Sequence, residues 1–373
     1  MAKATLGKVV VGMSGGVDSS VALLNLKKQG YEPVGVSLKY SVWDNKCNFK
    51  ENVCCSAKSF KVAEDICKQL KVPYYKVNVE KEFKEVVIDY FVEELKSNRT
   101  PSPCVFCNYN LKFKVLLLFA RQIKANFVAT GHYARIKHLK NGQVELLKAR
   151  DETKDQTYSL SFLPQNYLKH IIFPLGELTK DEVYKIAKGE KGFEVFEKTK
   201  QSQDFCFVSG RAMPEFLRKE VGINRGKVID EKGLVLGEHQ GLHFYTIGQR
   251  KGINLPGGRR PEGALPGGPY YVVDKVSKTN ELVVGKEQKQ TERIKLSYCH
   301  FVSKNKPDKE ITVMAKVRSA QPIVAAKLFP INLEKSEYCL VFDKPQSSVT
   351  AGQVAVFYQG EICLGGGVIR GYC

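Results

Sequence analysis

Apolar positions in the first 130 residues follow two alternating rhythms. Short continuous runs, Lys8–Gly12, Glu32–Lys39, 74–77 and 127–129, read as strands buried on both faces. Between them, residues 19–29, 56–70, 81–97 and 108–124 space their apolar side chains as helices do. In the first of these, Val21, Leu23, Leu24 and Leu26 lead to Gly30, placed as a C-cap. Strands separated by helices need crossover connections, so the expected sheet is parallel and covered on both faces, with ligand at the carboxyl ends of its strands.

The rhythm changes after Gly131. Residues 135–139 and 144–148 flank Asn141-Gly142, a hairpin signal, and 181–189 reads as a helix. From about Asn224 onward Gly and Pro become frequent. Beyond Pro266-Gly267-Gly268-Pro269 come short β-rich runs at 270–273, 282–284, 311–317, 323–328, 338–342, 354–358 and 362–369. Such runs without helices predict a C-terminal β-barrel or sandwich. The division expected is an α/β catalytic domain over 1–210, a small central domain over 211–280 and a β-barrel over 281–373.

Charge and composition narrow the functional classes. Of 373 residues, 58 are Lys or Arg and 39 Asp or Glu, a net charge of +19 that suits a polyanionic partner such as nucleic acid. No run of about 18 apolar residues occurs, so no membrane span is expected. Residues 1–7 lack both the apolar core of a secretory signal and the character of a transit peptide, so the expected location is cytoplasmic. Eleven cysteines in that setting argue for buried or reactive thiols rather than a structural disulfide framework.

The sharpest local signal is Gly12-Met13-Ser14-Gly15-Gly16-Val17-Asp18-Ser19, after a strand and opening a helix. Adjacent glycines let backbone N–H groups approach an anion, and the helix N-terminus adds unsatisfied donors. The loop lacks the Gly-Lys-Ser/Thr of a Walker A motif and the spacing of a dinucleotide fingerprint. It resembles the pyrophosphate loop of the PP-loop ATPases, which adenylate a substrate oxygen.

A second signal is Arg99-Thr100-Pro101-Ser102-Pro103-Cys104-Val105-Phe106-Cys107. Cys107 is expected where the next helix begins, with a thiolate favoured by the helix dipole and by Lys112 and Lys114. Residues 99–154 hold 11 basic residues against 3 acidic ones. Cys206, between Phe205 and Phe207, reads alone as a core cysteine and gains meaning only beside Cys107. His239 and His243 have a spacing that suggests metal, but the surrounding apolar pattern reads as core.

With Thr130-Gly131-His132, Lys154-Asp155-Gln156 and the run His243-Phe244-Tyr245-Thr246-Ile247-Gly248-Gln249-Arg250-Lys251-Gly252 added, nearly the whole chain resembles the tRNA-specific 2-thiouridylases, the MnmA/TrmU family. The resemblance implies ATP-dependent, magnesium-assisted replacement of the C2 oxygen of a wobble uridine by sulfur, on tRNAs for Lys, Glu and Gln. It implies an N-terminal PP-loop domain, a central domain and a tRNA-binding barrel. Gly12 to Ser19 would hold ATP, with Leu38 and Gly131 beside the adenosine. Cys206 would carry a persulfide delivered by a cysteine desulfurase or a sulfur relay protein, and Cys107 would be the catalytic nucleophile. Ser102, Pro103 and Cys104 match the segment around the target base. His132, Lys154, Asp155, Gln156, Arg318, Ser319 and Gln353 match tRNA-contacting positions. The chain departs from the pattern at Ser102, usually Asn; at Cys104, Asp in some members; and at Ser319, usually Tyr.

Cys104 opens a second route, in which Cys104, Cys107 and Cys206 ligate an iron–sulfur cluster. Another PP-loop adenylating enzyme needs no paired cysteines. A non-catalytic RNA-binding protein would explain the charge but not the loop.

Overall fold

The computed structural model describes residues 5–43, 56–197, 205–253 and 269–373. The adjacent cysteines Cys54 and Cys55, and residues 201–204 just before Phe205 and Cys206, lie outside them.

Val9, Val10 and Val11 are all fully buried, which only a central strand covered on both faces achieves. This strand, β1 (Lys8–Gly12), is followed by β2 (Glu32–Lys39), β3 (Tyr74–Asn78) and β4 (Phe127–Thr130). A hairpin comes next, β5 (Arg135–His138) with β6 (Val144–Leu147), and then β7 (Ile171–Ile172). The first sheet has the order β3-β2-β1-β4-β7 with every neighbour parallel. Gly12 and Thr130 pair at the carboxyl ends of β1 and β4, where the chain order reverses. Helix Val17–Gln29 packs Val21 to Leu24 and Leu26 against this sheet and ends on Gly30 at φ 97°.

The second helical stretch departs from expectation. Pro101 and Pro103 read in the sequence as a stiff loop, but Pro103 opens a helix at a position where a missing N–H costs nothing. That helix runs Pro103–Cys107, passes through a π turn at Asn108–Lys112, and continues as Phe113–Gln122. Cys107 therefore lies one turn inside the helix, and Cys104, not Cys107, occupies its N-terminus.

The central domain pairs β8 (Gly226–Asp230), β9 (Val235–His239), β10 (Tyr271–Val276) and β11 (Glu281–Gly285) in the order β10-β11-β8-β9. The runs at 270–273 and 282–284 thus belong to this sheet and not to the barrel. A division at 280/281 would cut the β10–β11 hairpin. His239 and His243 are buried, and their Nε2 atoms meet the Asn280 and Gly222 carbonyls at 3.1 and 3.0 Å.

The C-terminal strands are β12 (Gln290–Phe301), β13 (Ile311–Lys316), β14 (Val324–Asn332), β15 (Glu337–Ser347), β16 (Val354–Gln359) and β17 (Ile362–Gly371). They run β12-β15-β14-β13-β16-β17 and close through β12–β17 into a six-stranded antiparallel barrel. β12 is illegible in the sequence because three register shifts break its two-residue alternation. The β5–β6 hairpin adds to the barrel's sheet through Leu147 opposite Ile362 and Leu146 opposite Cys363.

A disulfide joins Cys339 to Cys373, against the expectation from cysteine usage. Barrel closure accounts for it: Lys295 of β12 faces Cys339 on one side and Gly371 on the other, which brings the last residues of the chain beside β15. Among the described residues no helix is long and apolar enough to cross a membrane.

Candidate active site

At the end of β1 the chain turns through Gly15 at φ 76°. A side chain there would stand 2.2 Å from the Ser59 carbonyl oxygen of the next helix, so only glycine fits. Ser19 Oγ donates to the Gly16 carbonyl at 3.0 Å and accepts from the Ser14 N–H at 3.2 Å, which fixes the curl of the loop. No side chain caps the helix at Gly16, so its first N–H groups stay available to an anion. Gly131 follows β4, and a Cβ on it would lie 2.7 Å from both Asp18 C and Ser19 N. β4 and the pyrophosphate loop meet backbone to backbone.

These elements wall a cavity of about 340 Å³ at the carboxyl edge of the sheet. Gly12, Met13, Ser14, Asp18, Ser19, Leu38 and Gly131 line it, as do Pro103, Cys104, Cys107, His132, Gln156 and Cys206. Residues 99 positions apart, Cys107 and Cys206, open on one space. Phe205 and Phe207 hold Cys206 in place by packing on Phe91, with ring centroids 5.4 and 5.3 Å away. Gly15, Gly16 and Val17 shape the loop without lining the cavity.

The thiols differ in setting. Cys104 is exposed, Cys206 is half-buried, and Cys107 is 6% exposed. Burial pushes the Cys107 thiol up to about 11, opposed by the Lys112 ammonium and backbone N–H. The expected dipole activation of Cys107 does not hold, because the residue sits inside the helix. Among the described residues no group of three His, Cys, Asp or Glu side chains is gathered to hold a metal. The three thiols do not form a cluster site in this conformation.

His132 accepts from or donates to Thr130 Oγ1 at 2.6 Å, and burial, reinforced by Lys112, holds its imidazole neutral. Asp18 accepts from the Tyr133 hydroxyl at 2.8 Å and pairs with Lys180. Lys180 is 7% exposed and its ammonium also lies over the Tyr133 and Tyr184 rings. Sequence reasoning missed it. The signal was present: Thr179 and Glu182 form a capping box, and a lysine at the first position of that helix opposes the dipole.

Most of the other candidate residues make hydrogen bonds within the chain. Asp155 accepts from the Ala149 N–H and the Thr157 hydroxyl, while Gln156 Oε1 accepts from the Tyr133 N–H. Lys154 bonds through its N–H to the Asp151 carbonyl. Ser102 is buried just before the helix. Gln353 Nε2, from the barrel, donates to the Thr100 and Pro101 carbonyls at 3.2 and 3.0 Å and so holds the loop ahead of Cys104. Arg318 donates to the Ile247 carbonyl and Thr350 Oγ1, tying barrel to central domain, and Ser319 is exposed. None of these three lines the cavity.

A parallel sheet with an uncapped glycine loop at its reversal point, opening on paired thiols, defines an ATP-binding PP-loop enzyme of the HUP class. Family models agree along the chain: residues 7–210 match a tRNA methyl transferase HUP domain, 214–286 a tRNA methyl transferase PRC-barrel domain and 291–369 an aminomethyltransferase beta-barrel domain. A tRNA-specific 2-thiouridylase of Clostridium botulinum is 41% identical over 371 residues, covering 98% of each chain. The Streptococcus mutans protein of that name is 41% identical over 97% of this chain and 95% of its own. A 4-thiouridine synthetase solved with RNA and ATP is 19% identical over 58% of this chain and 50% of its own, at a TM-score of 0.33. The chain belongs to the tRNA-specific 2-thiouridylase family.

Proposed function

We propose that this protein replaces the C2 oxygen of the wobble uridine of tRNA by sulfur at the expense of ATP, with Cys206 as sulfur carrier and Cys107 as nucleophile. The observation that carries the reading is the single cavity shared by the pyrophosphate loop and both cysteines. The full-length relatives carry the thiouridylase name. Methyl transfer, the wording of two family models, has no use for a loop built to take pyrophosphate.

The uridine O2 attacks the α-phosphorus of ATP and pyrophosphate leaves toward the loop, where the Ser14 hydroxyl and the helix N-terminus offer donors. Asp18 is the one carboxylate among the described residues lining the cavity and suits the magnesium of MgATP. Adenylation turns the O2 into a good leaving group. Cys107 then attacks the inner sulfur of the Cys206 persulfide: its S–H bond and the persulfide S–S bond break, and a Cys107–Cys206 disulfide forms. The terminal sulfur departs as hydrosulfide and attacks uridine C2, expelling AMP. A thiol reductant returns the disulfide to two thiols. A persulfide that attacks C2 directly would reach the same product.

The net charge of +19 supports tRNA binding dominated by phosphate contacts. We take tRNAs for Lys, Glu and Gln as acceptors, a cysteine desulfurase or relay protein as donor, and the cytoplasm as the location. Purified protein given ATP, unmodified acceptor tRNA and a persulfide donor should yield 2-thiouridine in nuclease digests, with one AMP per thiolated base. Thiolation without ATP cleavage would overturn the reading.

A further inference from the structure

We propose that Lys112 binds the α-phosphate, the group that becomes AMP, and so serves as a catalytic residue of the adenylation and displacement steps. The inference rests on the function proposed above and adds a residue to it. Lys112 is the one ammonium among the described residues lining the cavity. The other lysine of the site, Lys180, spends its charge on Asp18.

The backbone puts Lys112 there by an irregularity. In an uninterrupted α-helix residue 111 would stack over Cys107. The π turn Asn108–Lys112 inserts one residue, buries Leu111, and turns Lys112 onto the Cys107 side. Its backbone N–H meets the Cys107 thiol, and its ammonium acts on both that thiol and His132. A half-buried cation thus lines the same cavity as both sulfur groups and Gly131.

The pyrophosphate loop on the same cavity decides which phosphate it meets. The Ser14 hydroxyl and the helix N-terminus after Gly16 provide for pyrophosphate. The sulfurs mark where the base reacts, so the α-phosphorus lies between the two. During adenylation the bond from the α-phosphorus to the bridging oxygen of pyrophosphate breaks as the bond to uridine O2 forms. Lys112 offsets the phosphate charge, and it does so again as AMP leaves.

The test is equilibrium binding of AMP and of pyrophosphate, each alone, to the full-length protein and its K112M, K112Q and K112R variants by titration calorimetry. Thermal unfolding identifies folded variants. K112M and K112Q should bind AMP about tenfold more weakly, as expected for loss of one charge-assisted hydrogen bond in a partly open site. K112R should restore most of the affinity, and pyrophosphate binding should stay unchanged in all three. Unchanged AMP affinity in a folded K112M or K112Q protein would overturn the proposal, as would an equal loss for pyrophosphate. A protein that binds AMP through Lys112 yet makes no 2-thiouridine would sink the thiolation reading and leave this one standing.

Discussion

Replacing Gly131 by alanine puts one methyl group into the joint between β4 and the pyrophosphate loop. That carbon would lie 2.7 Å from Asp18 C and Ser19 N and 3.0 Å from Asp18 Cβ. Comfortable contact begins near 3.5 Å, so the neighbours must retreat by roughly 0.8 Å. They are backbone atoms of the first turn of Val17–Gln29, a helix held by the fully buried Val21, Ala22, Leu23 and Leu26. Such overpacking costs about 1–3 kcal/mol, which lowers the melting temperature of a unit this size by roughly 2–10 °C. The displaced N–H groups are those offered to the phosphates, each charge-assisted bond contributing about 1.5–3 kcal/mol, so ATP should bind at least about tenfold more weakly. Calorimetric titration with ATP and a thermal melt measure both effects. G189A is the control, since its Cβ meets only ordinary contacts of 3.5 and 3.8 Å and should leave both unchanged. Wild-type ATP affinity and melting in G131A would refute the reasoning.

Other consequences concern charge, coupling and thiol reactivity. K180M removes the cationic partner of Asp18; MgATP affinity should fall several-fold while tRNA binding by filter retention holds, and an unchanged affinity would place Lys180 in the scaffold alone. Q353A deletes two hydrogen bonds to the loop before Cys104, a local loss of about 1–2 kcal/mol; hydrogen exchange at 99–103 should quicken and thiolation slow, with ATP affinity preserved. Because burial raises the Cys107 thiol to about 11, that residue is protonated at neutral pH. Its alkylation by iodoacetamide, followed by peptide mass spectrometry, should trail that of exposed Cys104 and quicken about tenfold per pH unit from 7 toward 10. A plateau below pH 8 would contradict the burial argument.

The parallel sheet was legible because runs such as Val9 to Val11 must be covered on both faces, and the pyrophosphate loop because Gly15 and Gly16 admit few other uses. Cys107 was misplaced at a helix start because two prolines in one stretch suggest a loop, while Pro103 at the first helical position tolerates its missing N–H. Lys112 entered the sequence reading only as a nearby charge, since a π turn has no recognised residue signature and shifts every following side chain. β12 escaped through its bulges, and the Cys339–Cys373 bridge because a closed barrel, not sequence distance, sets their approach. Gln353 and Arg318 entered by resemblance as tRNA-contacting positions; their hydrogen bonds to the loop before Cys104 and to the central domain join residues far apart in sequence and leave no local signal.

The account stands on sulfur passing between Cys107 and Cys206 inside the ATP cavity. Its most direct measurement is a single turnover of persulfide-loaded protein with ATP and unmodified acceptor tRNA, quenched in acid and mapped by non-reducing peptide mass spectrometry. The predicted outcome is one Cys107–Cys206 disulfide for each 2-thiouridine, with no thiolation by C206S and little by C107S. Full 2-thiouridine from C107S, or product formed while both thiols stay free, would contradict it.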